Sequence, residues 1–415
     1  MSVVPASSVL AKVSDRLGLP ELRPHTALVV ALCVDAVGSG VAGPMLLLYL
    51  TRVAGLRLGP AGVLLSVSAA VSLVVPAIIG RITHRLGARK IVIGAQLVQA
   101  VAMVVLLVSH HVPVLGCAAM LAAVGQRAFW SSVFALVADA AESADDERDH
   151  DRWFAASGMI QNAGFAVGGL LTGALLLLPG STPFVIALSV NALSFLGSAA
   201  LFARDRVRPA VGRADDHRRR SIPDGRYLLL ILANTLYAFC SVLLGVGLPL
   251  YALDFLHVPA WLIGPLLALV TVLGATGQGV GVRRTERLSR VTVLGIAGTL
   301  WVVWGLLMAG LTLTSGAVLI GGLVLATLLY AVAELLHAPA SMALSATQAP
   351  AAGRETYLAW FQYSFAIATV LSPSVFGLLS AARPTLPWLV AAAAAVLAVL
   401  LAFGAVGRTP KGASS

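Results

Sequence analysis

Gly80-Arg81-Ile82-Thr83-His84-Arg85-Leu86-Gly87-Ala88-Arg89-Lys90 stands between two long apolar runs, at about 60–80 and 89–109. So short a polar join forces the chain to reverse direction. Gly87 supplies the backbone freedom for a tight turn, and Gly80 leaves room for a close neighbouring helix. The cations Arg85, Arg89 and Lys90 suit the boundary between lipid headgroups and water. There they can also meet the carbonyl ends of helices.

Working outward, the same alternation of apolar run and short polar join continues through the 415 residues. Runs at about 27–50, 60–80, 89–109, 114–138, 153–178 and 183–203 precede a polar stretch at 204–226. Runs at about 227–253, 260–282, 291–313, 317–341, 355–381 and 385–407 follow it. Each is long enough to cross a bilayer, which takes about 20 residues. Hydrophobic residues make up 59% of the chain and charged ones 11%, against about 25% charged in soluble domains. These figures exclude a soluble globular protein, a disordered chain and a coiled coil. The expected fold is all-α and integral to the membrane, with twelve transmembrane helices. Residues 1–24 form a tail, 25–203 a first six-helix bundle, 204–226 a basic linker, 227–407 a second bundle and 408–415 a second tail. No apolar segment precedes the first run, so that run is expected to remain as an anchor rather than be cleaved.

The positive charges orient the chain. With the N-terminus inside, 24 Lys and Arg residues fall in inner segments and 3 in outer loops, with Arg127 within a span. That asymmetry places both termini in the cytoplasm of a multi-pass protein of the cell inner membrane. It also accounts for Arg218-Arg219-Arg220 as part of an inner linker, so no nucleic-acid partner is expected. The acidic run Asp145, Asp146, Glu147, Asp149 and Asp151 is expected to be a solvated inner loop. Cys33, Cys117 and Cys240 sit singly in apolar runs and read as packing residues. There is no G-x-x-x-x-G-K-[ST], HExxH, CxxC or GxSxG, so no cofactor, metal or enzymatic chemistry is expected.

The second half echoes the first. LLLYLTR at 46–52 matches LPLYALD at 248–254. RAFWSSVFALVAD at 127–139 lies over LLHAPASMALSAT at 335–347, and Trp153-Phe154 over Trp360-Phe361. The offsets of about 202 to 208 place the first, fourth and fifth spans on the seventh, tenth and eleventh. A duplicated six-helix unit follows.

With this architecture in place, the loop Gly80–Lys90 resembles the G-x-L-a-D-R-x-G-r-k signature of the major facilitator superfamily. His84 replaces its usual aspartate, which alters the charge relay that carboxylate belongs to. Gly164, Gly168, Gly169 and Gly173 resemble the glycine-rich fifth helix of the family's drug exporters, without their Gly-Pro pair. The resemblance implies two pseudo-symmetric six-helix bundles that rock about a cavity lined by helices 1, 4, 7 and 10. It assigns Gly80, His84, Arg85, Gly87, Arg89 and Lys90 to a loop that takes part in the conformational switch.

Polar residues inside the apolar runs are the candidate working parts. Asp35 lies about 12 Å into the first span at the helical rise. A bare carboxylate there costs several kcal/mol unless paired or protonated. Glu334 is the second intramembrane acid; it lies one turn after Tyr330 and three residues before His337, on one helix face. Proton-coupled members of the family often use an acid in the tenth helix, so Asp35 and Glu334 are the expected proton-exchanging pair. Arg127 is deep in the fourth span and is expected to pair with Asp35, Glu334 or an anionic part of the substrate. Trp130 beside it could stack on a substrate. Tyr237 is the repeat mate of Asp35, and Asn234 sits one turn away. Asn162, Tyr330 and Gln362 complete the expected substrate cavity, with Gln126, Gln161 and Tyr363 as lesser members. Asp254 and Arg52 occupy matched positions near outer helix ends and could form a gate. The expected function is secondary transport, proton-coupled efflux of small amphipathic or lipophilic compounds, by a functional monomer whose partners are bilayer, protons and substrate. Uptake of a small metabolite is the alternative.

Overall fold

A computed structural model describes residues 25–109, 111–142, 147–204, 223–285, 287–350 and 354–406. The tails and most of the basic linker lie outside the described residues, as do the side chains of Gly80, His84 and Arg85. The described residues are helical and contain no strand. In chain order the helices are α1 (Thr26–Arg52), α2 (Leu58–Ser72 continued by Val75–Leu86), α3 (Ala88–Val108) and α4 (Val112–Glu142). Then come α5 (Glu147–Leu175), α6 (Thr182–Arg204), α7 (Gly225–Leu250), α8 (Ile263–Thr285) and α9 (Arg290–Gly310). Last are α10 (Gly316–Gln348), α11 (Arg354–Ala382) and α12 (Leu386–Val406). Among the described residues, ten helices are long and apolar enough to cross a membrane. The remaining two apolar runs of the sequence correspond to α5 and α8.

Prolines mark the breaks. Pro44 has no N–H for the Gly40 carbonyl, and α1 tightens into a 3₁₀ turn over Gly43–Met45. Pro76 has none for the Ser72 carbonyl, and α2 is interrupted between Ser72 and Val75. Pro249 lies within α7, which ends in a π turn over Tyr251–Phe255. One expectation is corrected here. The described part of the acidic run is helix, not loop, because α5 begins at Glu147 and carries residues 149 and 151 in its first turns, while Asp145 and Asp146 lie outside the described residues. Acids at a helix N-terminus sit against the positive end of its dipole, which favours helix over loop.

The chain separates into two compact units, each described on its own. Unit 1 takes the described parts of 1–43, 71–168 and 182–214, and unit 2 those of 44–70, 169–181 and 215–415. In unit 1, α1 packs on α6, α3 on α4 and on α6, and the second part of α2 on α4. In unit 2, α7 packs on α12, α9 on α10 and on α12, and α8 on α10. These are the same pairings shifted by six helices, as a duplicated unit requires. The core of unit 1 joins Leu28, Leu32, Val92, Phe129, Val133, Trp153 and Phe202. That of unit 2 is aromatic: Trp304 touches Tyr330 and Trp388, and Trp388 touches Tyr251 and Phe376, with ring centroids 4.9 to 6.0 Å apart. Val101, Val108, Leu193, Leu313, Leu400 and Phe403 are exposed on helix faces. In water such surface would aggregate; in lipid it is the solvated surface.

Two glycines show how sequence becomes packing. Gly87 has φ of 78°, outside the range of ordinary L residues, and its turn lets α3 start two residues after α2 ends. A Cβ on Gly168 of α5 would fall 2.6 Å from the Val37 carbonyl oxygen and 2.7 Å from Gly40 of α1. The two backbones therefore touch. Gly168→Leu is expected to cost about 1–3 kcal/mol or more through overpacking. Thermal unfolding in detergent would show it. Gly94→Leu is the control, since a Cβ there meets nothing within 4 Å.

Candidate functional site

Asp35 is brought to the interior of unit 1, 7% exposed. Gln96 of α3 donates from Nε2 to Asp35 Oδ1 at 2.7 Å and lies 3.3 Å from Ser198 Oγ of α6. Gln99 Nε2 donates to Gln96 Oε1 at 3.3 Å, and Ser198 Oγ donates to the Ala31 carbonyl at 3.0 Å. The carboxylate is thus met by neutral groups. Within unit 1 the expected pairing of Arg127 with Asp35 is not formed: among the described residues no ion pair joins them, and Asp35 is met by Gln96 instead. Arg127 is half-buried, two residues beyond Gly125 on α4. Trp130 packs edge-on against Phe129, with ring centroids 5.8 Å apart, and Asn162 is half-buried on α5.

Unit 2 gathers more of the expected residues. Asn234 of α7 bridges two helices: its Nδ2 donates to Ser364 Oγ of α11 at 2.6 Å, and its Oδ1 is 2.9 Å from His337 Nε2 of α10. Ser364 in turn donates to the Phe361 carbonyl at 2.6 Å. Because the Asn234 amide N–H is spent on Ser364, its oxygen accepts, so His337 carries its proton on Nε2. The His337 ring lies among Tyr237, Trp301 and Phe365, at centroid distances of 5.2, 5.1 and 6.3 Å. Tyr237 is buried and donates to the Leu294 carbonyl at 3.0 Å. Tyr330 donates to the Ser241 carbonyl at 2.6 Å, and the Ser241 side chain hydrogen-bonds Glu334. Among the described residues, Glu334 Oε2 and His337 Nδ1 are buried without a hydrogen-bond partner. Gln362 is exposed on α11, with its Nε2 3.9 Å from Met342 Sδ.

Gln96, Gln99, Ser198, Ser241 and Ser364 are the partners that sequence reasoning missed. The two glutamines were visible as amides in an apolar run, where a polar side chain needs an internal partner. The serines bond to helix carbonyls as readily as to ligands, so their spacing carries no comparable signal.

The loop cations have partners as well. Arg89 Nε donates to the Phe202 carbonyl at 2.8 Å, and its Nη2 to that of Ala203, at the end of α6. Lys90 is exposed. Arg52 and Asp254 form an ion pair between the ends of α1 and α7, within unit 2. Nearby in the chain trace, a Cβ on Gly173 of α5 would fall 2.6 Å from Gly264 of α8. The Ser374 N–H of α11 donates to Ser66 Oγ of α2 at 2.8 Å.

Comparison with known proteins agrees with this geometry. The family model described as Major Facilitator Superfamily matches residues 28–333. Multidrug resistance protein MdtH of Cronobacter sakazakii is 26% identical over 328 residues, 74% of this chain and 76% of that protein. The solved structure of the nucleoside transporter NupG superposes with a TM-score of 0.75 at 12% identity, covering 92% of this chain and 98% of that one. A bacterial homologue of the iron transporter ferroportin, in an inward-facing state, gives 0.70 at 19% identity, covering 94% and 100%. A transporter of the POT family gives 0.74 at 14% identity, covering 91% and 95%. At these identities the structural likenesses speak for the fold alone. With three quarters of its length matched by the family model, the chain belongs to the major facilitator superfamily and is a multi-pass membrane transporter.

Proposed function

We propose that this transporter is a proton-coupled exporter of small amphipathic or lipophilic compounds. It works by alternating access of two six-helix bundles, residues 25–203 and 227–407, joined by the basic linker 204–226. Both termini face the cytoplasm of the inner membrane, and one chain suffices for function. The observation that carries this reading is a pair of intramembrane carboxylates, each met by a neutral side chain of its own unit among the described residues. Asp35 meets the Gln96 amide, and Glu334 meets Ser241 with its Oε2 unpartnered. Such a group is tolerable in lipid when it can hold a proton. A carrier that opens alternately to two compartments lets it take that proton from one and release it to the other.

Substrate contact is assigned to Arg127, Trp130 and Asn162 in unit 1, and to Asn234, Tyr237, Tyr330 and Gln362 in unit 2. Tyr237 and Asn234 act from behind, as a rigid wall held by their own hydrogen bonds. Gly80, His84, Arg85, Gly87, Arg89 and Lys90 form the hinge loop, with Arg89 gripping the end of α6. Arg52 and Asp254 are the latch of the outer gate. Aromatic surroundings of Tyr237, Trp301, Trp304 and Tyr330 favour lipophilic cargo, in line with the name of the relative MdtH. Uptake by proton symport is the second reading. It is favoured by the polar chain His337–Asn234–Ser364 and by fold neighbours named for nucleosides and peptides.

Purified protein in proteoliposomes with an imposed pH gradient separates the two. An antiporter accumulates external ethidium, whose charge is permanent, in vesicles with an acidic lumen, because protons leave as dye enters. A symporter accumulates it when the lumen is alkaline. Export predicts accumulation with the acidic lumen and none with the alkaline one; the reverse result sinks export.

A further inference from the structure

Four side chains in unit 1 form a directed chain across α3. Gln96 and Ser198 are 0% exposed, Gln99 5% and Asp35 7%. Gln99 donates to Gln96, and Gln96 donates to Asp35. At its far end the Gln99 side chain fills the groove left by Gly125 of α4, where a Cβ would fall 2.6 Å from Gln99 Cγ and 3.0 Å from the Ala95 carbonyl oxygen. One end of the chain is a titratable group on α1; the other is the backbone of α4, two residues before Arg127.

The direction of these bonds suits a carboxylate, since every amide N–H points toward Asp35. A protonated Asp35 presents an O–H that needs an acceptor. The Ala31 carbonyl already takes the Ser198 hydroxyl, and Gln96 offers Asp35 its N–H side. Turning the Gln96 amide by half a revolution puts Oε1 on the Asp35 O–H. Its Nε2 then faces the Nε2 of Gln99, donor against donor. Turning the Gln99 amide as well relieves the clash, because its Oε1 now accepts. The two arrangements hold the same links along the chain, so the proton on Asp35 selects between them. The turn gives up the 3.3 Å contact from Gln96 Nε2 to Ser198 Oγ, and the Ser198 hydroxyl leaves the Ala31 carbonyl to donate to Gln96 Oε1 instead.

We propose that Gln96 and Gln99 are positioning residues that answer the protonation state of Asp35 by reversing their amides together, which exchanges the polar edges of the Gln99 amide one bond beyond the Cγ that packs on Gly125 of α4. This rests on the reading that Asp35 exchanges protons during transport. Such a bistable element supplies the physical link between two sites that coupling requires. The groups around Asp35 do not compete with it: α3 presents Gln96 and Gln99, and α6 presents Ser198. α5 meets α1 with Gly164 against Ala36, and Arg127 of α4 forms no ion pair with Asp35.

The test uses the full chain in lipid nanodiscs with Gln126→Cys, an exposed position beside Gly125, carrying an environment-sensitive fluorophore. Cys33→Ser and Cys117→Ser remove the exposed native thiols. The infrared carboxyl band lost in Asp35→Asn reports the Asp35 proton itself. During a pH titration the band and the fluorescence step are expected to share a midpoint, and Asp35→Asn abolishes both. Gln99→Met keeps length and apolar volume but has no amide; it is expected to retain the Asp35 band and lose most of the fluorescence step. The retained band certifies that the variant is folded, and Gln99→Leu is the second variant. A full step in Gln99→Met overturns the proposal. So does joint loss of band and step, because Gln99 would then hold Asp35 rather than read it. The amide relay stands or falls without dye transport: intact steps in a protein that moves no dye would fault the export reading alone.

Discussion

Glu334→Gln is expected to abolish pH-driven dye accumulation while leaving dye exchange without a gradient nearly intact. Glutamine preserves the size of the side chain and can still meet Ser241, so the cavity wall is kept. What it removes is the capacity to bind and release a proton. Loss of a positioned proton carrier is worth about 10²- to 10⁴-fold in a step that depends on it. Driven accumulation should therefore fall at least about a hundredfold by the same scale. Exchange of labelled for unlabelled dye returns the carrier with cargo bound and needs no net proton movement. If both activities fall together, Glu334 is a substrate or structural residue. If neither falls, proton coupling lies elsewhere. Asp35→Asn is informative beside it: Asp35 is enclosed by α3 and α6, and its effect should run through Gln96.

The second large effect concerns the end of α1. Arg52 and Asp254 are partly exposed, 41% and 31% by side chain, so their ion pair adds about 0–1 kcal/mol to stability. On the proposal that the pair is a latch opened in every cycle, its kinetic weight is far larger. Joining Arg52→Cys to Asp254→Cys with a short cleavable bis-thiol reagent is expected to reduce transport to the level of empty vesicles. Cleaving the linker should restore it. The background again carries Cys33→Ser and Cys117→Ser, with Cys240 left buried. Undiminished transport by the linked protein would remove the gate from the mechanism. The single change Arg52→Ala should lower stability little, which separates the latch from a structural brace.

The membrane class, the succession of helices and the duplication are readable in the chain itself because each rests on local or additive physics. A run of about 20 apolar residues has one good solvent, and polar joins have another. The pairings of unit 1 recur in unit 2, six helices on, although the two cores are filled by different side chains. The turn at Gly87 is equally local: one residue free of a Cβ, at φ of 78°, between two helices. The start of α5 was misjudged from charge, since acids that favour water also favour the N-terminal turn of a helix.

The partner of each buried polar group is a different matter. Asp35 and Arg127 are the obvious opposite charges in unit 1, and charge alone would join them. The tertiary structure joins Asp35 to Gln96 instead, because the rotation of α1 against α3 and α6 aims the carboxylate at an amide. Likewise Asn234, His337 and Ser364 come from three helices, and their meeting at 2.6 and 2.9 Å depends on how α7, α10 and α11 are turned. Helix rotation is set by the sum of many small packing contacts, such as Gly168 against Gly40. Hydropathy reports that a helix crosses the membrane; interhelical packing alone settles which way its polar side chains face.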